Sequence, residues 1–320
     1  MFVDHIAWLA LIWSVICVLG WISLPVGQAL FRASSDRGYA YAKILGLFAI
    51  SYITFVLSTL KITPLSIYAI FIGILIWVTI NYFVAKKTNI PIVKEIPWRK
   101  VIITEIIFII FLSGFTLIRS YGPEIYEIER FMDFGIIQNL RNSTSLPIED
   151  FWFSGEPINY YYFGHFIGYV VLTLTNIATE PGFFLLVSLI VALLAVTIFR
   201  LGIDLTHLLL RTRTVSKASR AFSGLTSVFF VMFAGTWYMI PWIMGKASTF
   251  FYPEPTRAIP GTITEIPFFS FLVADIHAHV WGMLSGVLIL IILAILWHDD
   301  EAGLTFKNHY LYALAFVLGV

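Results

Sequence analysis

Apolar residues dominate the chain in long uninterrupted runs, and the polar residues gather between them. Uncharged or nearly uncharged runs cover 6–30, 44–60, 64–85, 101–118, 182–199, 221–243 and 280–297. A last run begins near Tyr310 and is still apolar at Val320. A helix needs roughly 20 apolar residues to cross a bilayer. The pattern therefore predicts an all-α polytopic transmembrane protein with about seven to eight spans. Its ending within a hydrophobic run is expected of a chain truncated at the C-terminus. The first run is too long for a signal-peptide core and has no basic segment before it, so it counts as a span.

The stretch 160–179 breaks the pattern. It is short, and His165, Tyr169, Thr173 and Asn176 recur at helical spacing on one face. Loop charges make this stretch decisive. The 86–100 loop carries Lys86, Lys87, Lys94, Arg99 and Lys100 against Glu95, and the 200–220 loop carries Arg200, Arg211, Arg213, Lys217 and Arg220 against Asp204. Both read as cytoplasmic, as does 32–43 with Arg32, Arg37 and Lys43. Two cytoplasmic loops require an even number of crossings between them. One of the three apolar segments between them must therefore not cross, and 160–179 is the weakest. It is predicted to be a juxtamembrane helix in the outer interface. The acidic 119–165 loop and the 244–279 loop then share the external face.

Composition sharpens this picture. The 320 residues are 59% apolar and 12% charged, and mean hydropathy is +0.88. So few charges cannot cover a soluble globule, which excludes soluble enzymes, disordered chains and fibrous proteins. Net charge is +1, so no global field attracts nucleic acid. The single cysteine, Cys17, allows no intrachain disulfide.

The external polar clusters hold the candidate chemistry. Glu127, Glu129 and Asp133 lie beyond a predicted helix end, and in a helix Glu129 and Asp133 (i, i+4) share a face. Carboxylates grouped beside a membrane can act as a general base or bind a divalent cation, Mg or Mn. A solvated acidic loop is the plainer reading. Phe151, Trp152, Phe153, Tyr160, Tyr161, Tyr162 and Phe163 are too many rings for such a loop. They suit an interfacial belt or a stacking site for a sugar or lipid, with Trp152, the three tyrosines and His165 as substrate-binding candidates. The string Asp275-Ile276-His277-Ala278-His279 precedes an apolar run. Asp275, His277 and His279 form a candidate metal set; otherwise they mark a helix N-terminus favoured by its dipole. The proline-rich 241–267 segment also carries Arg257, a candidate phosphate contact or a plain surface arginine. His165, Asp133 and Asp275 are expected to border one cavity. Glu105, inside a span, is expected to snorkel or pair with Arg99 or Lys100.

The strings INYYYFGH at 158–165 and FFSFLVADIHAH at 268–279 resemble the triple-tyrosine, or DUF2298, family of archaeal and Chloroflexi membrane proteins. Ala278 stands where that family's pattern has proline. Family members are usually longer, which agrees with truncation. More distantly, the layout resembles the GT-C superfamily of membrane glycosyltransferases. That resemblance implies accessory helices over 1–100 and a core over 101–320, with external loops 119–165 and 244–279. It implies sugar transfer from a polyprenyl-phosphate donor in the cell membrane, with a membrane lipid and a C-terminal half or partner subunit as further partners. Asp133, or Glu127 with Glu129, would match the acidic catalytic motif. A transporter or lipid flippase, or a non-catalytic membrane subunit, is the alternative.

Overall fold

The protein is a helical bundle. Its structure, a computed structural model, describes residues 2–88, 96–122, 125, 128–210, 215–235, 240, 244 and 259–301. The helices are α1 (Phe2–Ile22), α2 (Leu24–Leu30), α3 (Tyr39–Thr59), α4 (Ile67–Thr88), α5 (Trp98–Ser120), α6 (Ile128–Asn142), α7 (Phe163–Thr175), α8 (Thr179–Leu209), α9 (Lys217–Val228), α10 (Pro267–Leu272) and α11 (Ala278–Glu301). Six are long and apolar enough to cross a membrane: His5–Ile22, Tyr39–Thr59, Ile67–Thr88, Trp98–Ser120, Thr179–Leu209 and Ala278–His298. The run from Tyr310 lies outside the described residues.

The expected span over 221–243 is not one continuous helix. A π-helical turn, Phe229–Phe233, follows α9, and the helix stops at Ala234. The next residue, Gly235, packs so closely on Ile266 that a Cβ there would lie 2.3 Å from the Ile266 side chain. The helical stretch 217–233 reaches only about 25 Å, short of the roughly 30 Å hydrocarbon core. It packs along the C-terminal half of α8 and exposes Phe222, Leu225, Phe229 and Phe230.

α8 is the central pillar. At 31 residues it runs about 46 Å, longer than a span requires. It is buried along nearly its whole length between α5, α9 and α11. One apolar core extends from Ile12 in α1 to Leu296 in α11, so residues 1–100 pack into the same core as the remainder. The outer faces of α4 and α5 show Phe71, Leu75, Ile102, Ile106, Ile110 and Leu117, as lipid-facing helices should. Because lipid is as apolar as these side chains, association of the spans rests on close packing and interhelical polar contacts. Gly46 illustrates the packing: a Cβ there would fall 2.6 Å from the Leu19 carbonyl oxygen, so α1 and α3 cross nearly backbone to backbone.

The polar contacts concentrate at two ends of the bundle. At one end, residues read from the sequence as loop charges are helical and buried. α8 continues through Arg200 and Asp204 instead of ending at Phe199. Asp204 accepts hydrogen bonds from Ser34 Oγ (2.6 Å), Ser35 N (3.0 Å) and Tyr41 OH (3.1 Å). Arg200 Nε lies 3.1 Å from Asp36, whose carboxylate also takes the Gly38 and Ala40 amides at the start of α3. Lys100 donates to the Ser35 carbonyl. These partners let α8 carry charge without exposing it, and the helix therefore continues.

A second network lies slightly deeper. Glu105 does not pair with Arg99 or Lys100. It meets Lys43 Nζ at 2.9 Å and accepts from Tyr39 OH (2.6 Å) and Trp13 Nε1 (2.7 Å). Lys43, expected in a basic loop, is a fully buried residue of α3. Seven residues into α5, Glu105 stands about 10 Å from the helix start and about 6 Å from the helix midpoint.

Removing one member of a buried ion pair strands the other. Glu105→Ala should destabilise the protein by about 3 kcal/mol in detergent unfolding. Glu105→Gln should lose less, because an amide oxygen can still accept from Tyr39 and Trp13. An unchanged unfolding midpoint for Glu105→Ala would show that this pair does not hold α1, α3 and α5 together.

Candidate functional site

At the other end of the bundle, α6 and α7 place the site. The chain from α5 enters α6, a 15-residue amphipathic helix. Ile136, Ile137 and Leu140 face the core, and on the same buried side lies Asp133, 0% exposed. A hydrogen-bonded turn follows, in which Asp150 accepts from the Trp152 and Phe153 amides. The triple tyrosine then leads into α7. At 13 residues α7 extends about 20 Å and is too short to span. The amphipathic stripe expected to lie along the membrane interface is instead covered by protein. Residues 164–172 are buried, packed against α1, α3, α4, α6, α8 and α11. The polar side turns inward, with His165 and Tyr169 both buried. Gly164 permits this, since a Cβ there would meet the Trp281 ring at 2.4 Å.

Two distant segments converge here. His165 donates Nε2–H to Asp133 Oδ1 at 2.7 Å, both side chains fully buried. The buried Nδ1 of His165 has no hydrogen-bond partner among the described residues. The other Asp133 oxygen faces the 273–277 segment, accepting from the Ile276 amide at 3.4 Å and standing 3.6 Å from His277 Nδ1. His277 donates Nδ1–H to Asp275 Oδ1 at 2.6 Å. On the far side of that carboxylate, His279 Nε2 lies 3.3 Å from Oδ2. Two arginines fix the segment from below: Arg130 Nε donates to the Val273 carbonyl at 2.7 Å, and Arg119 to that of Leu272.

The proposed metal set therefore does not close as one triad. Asp275 belongs to two groups. Asp133, Asp275 and His277 offer ligand atoms within 4.8 Å of one another, and so do Glu265, Asp275 and His279. Glu265 and the buried Ser270, which sits between Glu265 and His279, did not stand out in the sequence. Their only signal there is proximity to the Asp-x-His-x-His string.

Electrostatics follow the geometry. Burial alone would push His277 down, but the Asp275 hydrogen bond and the charges of Asp133, Asp275 and Glu129 raise it to about 9. Burial pushes Asp275 up, yet the hydrogen bond and charge of His277 outweigh it and hold its carboxyl below the usual value. The cluster thus attracts positive charge. Its members differ in access. Asp133 is sealed, the His277 side chain is 13% exposed, and Glu129, in the first turn of α6, is open to solvent.

The remaining candidates divide. Tyr160 and Tyr161 stack with ring centroids 4.2 Å apart, and Tyr160 lies 6.3 Å from the His277 ring. Burial, then the hydrogen bond to Tyr161, raises the Tyr160 phenol well above its ordinary value. Tyr162 points away, packing edge-on against Phe55 of α3. Trp152 is exposed on the 149–157 turn. Glu127 and Arg257 lie outside the described residues. Beside the site is a cavity of about 970 Å³ between α1, α5, α6 and α8. Leu9, Phe131, Phe134, Phe184 and Leu185 line it, with Arg119 and Glu180 among its polar members.

Asp133 is expected to matter for folding, because it is buried against a histidine. Asp133→Asn and His165→Gln should each destabilise by about 1–3 kcal/mol. Together they should couple by about 1 kcal/mol or more in a double-mutant cycle. Strict additivity would show that the pair makes no net contribution.

No curated protein and no solved structure matches the chain. A family model for uncharacterized membrane proteins, DUF2298, matches residues 48–320, which include both converging motifs. With that match covering most of its length, the chain belongs to the DUF2298 family of membrane proteins.

Proposed function

We propose that this protein is a membrane glycosyltransferase-like enzyme that moves a sugar from a polyprenyl-phosphate donor to an acceptor at the outer membrane face. The observation that carries this reading is the convergence of the 131–165 and 265–279 motifs on one carboxylate–imidazole cluster at one end of a membrane bundle. In this reading residues 101–320 form the working core and 1–100 accessory helices. The apolar cavity beside α6 suits an isoprenoid tail, because Phe131 and Phe134 line it while Asp133 between them faces the cluster. The stacked Tyr160–Tyr161 pair offers a ring face to a sugar.

Transfer breaks the bond between the sugar's anomeric carbon and the lipid phosphate oxygen. It forms a bond from that carbon to the acceptor oxygen, whose proton must go to a base. Asp133 is sealed by His165 and acts as a positioning residue. Glu129, one turn earlier on α6 and open to solvent, takes the proton; its charge already reaches His277. A departing phosphate requires a cation beside it, and the cluster is where this end of the molecule can hold one.

The transporter or flippase reading draws on the buried Lys43–Glu105 pair. Tyr39 and Trp13 already engage the carboxylate oxygens of Glu105, and α3 and α5 run unbroken past the pair. Transporters place such groups near the midplane, where helices are interrupted.

Glu129→Gln should lower sugar transfer from a polyprenyl-phosphate donor by about 10²-fold or more while leaving the unfolding midpoint unchanged. Undiminished transfer would remove Glu129 from the base role. Absence of transfer by the unaltered chain would favour a non-catalytic subunit.

Sidedness has its own check. With Cys17 replaced by serine, a cysteine at the exposed Ser216 should react with an impermeant thiol reagent only from the cytoplasmic side. Reaction from outside alone would invert the orientation and place the cluster inside the cell.

A further inference from the structure

We infer that Asp275 bridges two divalent metal ions, one held with Asp133 and His277, the other with Glu265 and His279. Asp275 presents its two oxygens to two different imidazoles, Oδ1 at 2.6 Å from His277 Nδ1 and Oδ2 at 3.3 Å from His279 Nε2. A second carboxylate stands near the same nitrogen of each imidazole. Asp133 Oδ2 stands 3.6 Å from His277 Nδ1. Glu265 reaches His279 through Ser270 Oγ, with spacings of 3.5 Å and 3.3 Å. In each triad the ligand atoms lie within 4.8 Å of one another. Ligands on one ion at about 2.0–2.2 Å stand about 3 Å or slightly more apart. The triads therefore close on an ion with side-chain shifts of the order of an ångström or less. A carboxylate bridging through both oxygens sets two ions roughly 3.5–4 Å apart.

The surroundings fit ligands more than a structural ion pair. Asp133 has one oxygen taken by His165, which orients the carboxylate and leaves Oδ2 facing the cluster, as the partners of metal ligands do. Its binding side is set by backbone as well, through the Ile276 amide. The Asp-x-His-x-His spacing puts His277 and His279 rings nearly parallel, 15° between planes and 6.3 Å between centroids, each against a different oxygen of Asp275. Three carboxylates and two imidazoles favour first-row transition dications such as Mn²⁺ over Mg²⁺, which binds oxygen ligands and retains water.

The test needs no catalytic activity, so it can fail separately from the glycosyl-transfer reading. The full chain in detergent micelles is stripped with a chelator and equilibrated with Mn²⁺. Metal content is then read by mass spectrometry and the ions by electron paramagnetic resonance. Two ions per chain with a spin-coupled signal are expected. Glu265→Gln, a change at an exposed side chain that folding should tolerate, should leave one uncoupled ion, as should His279→Ala. His277→Ala should leave the other. Asp275→Asn should weaken both by 10- to 100-fold. No stoichiometric Mn²⁺, a single ion in the unaltered chain, or a coupled pair that survives Glu265→Gln would each overturn the bridged pair.

Discussion

The buried hydrogen bond between Asp133 and His165 holds the chemistry-bearing end of this molecule together. It joins α6 to α7 at 2.7 Å in a region with no solvent to share the charge. The second Asp133 oxygen then sets the 273–277 segment, through the Ile276 amide and His277. An isolated carboxylate at such a depth would be expelled or neutralised. Its retention means the helices are arranged around it. α7 is drawn into the bundle because its polar residue has a partner there, and Gly164 allows the approach to Trp281.

The same rule organises the opposite end. Arg200 and Asp204 extend α8 beyond the length a membrane requires, because Asp36, Ser34, Ser35 and Tyr41 receive them. Between the two ends α8 is apolar and closely packed. Interior charge thus gathers toward the bundle ends, and the Lys43–Glu105 pair reaches deepest, with Glu105 about one turn from the middle of α5. In lipid, where apolar burial contributes little to helix association, these saturated polar contacts carry much of the specificity of packing.

The two ends differ in what remains open. The Arg200–Asp204 network meets its charges with Asp36 and with the hydroxyls and amides of residues 34–41. The Asp133–Asp275 cluster has an excess of carboxylate, exposed members in Glu129, Glu265 and His279, a tyrosine stack at its edge and a large apolar cavity beside it. That contrast, internally paired charge against surplus carboxylate, separates a structural charge network from the site proposed for a lipid-linked substrate and metal ions.

The sequence by itself determined the helical membrane class, three of the spans to within three residues at each end, and the non-crossing of 160–179. Hydrophobic run length and loop charge are local quantities, and the bilayer imposes them directly. It also marked Asp133, His165, Asp275, His277 and His279, since polar residues beside long apolar runs are rare enough to notice. Only the tertiary structure decided their partners. Nothing local says that the polar stripe of α7 faces inward, that Asp275 divides its two oxygens between two imidazoles, or that Glu265 and Ser270 join them. Nor could loop counting tell that Lys43, Arg200 and Asp204 are interior. A charge is admitted to the interior by the groups that meet it there, and those groups come from helices far apart in the chain.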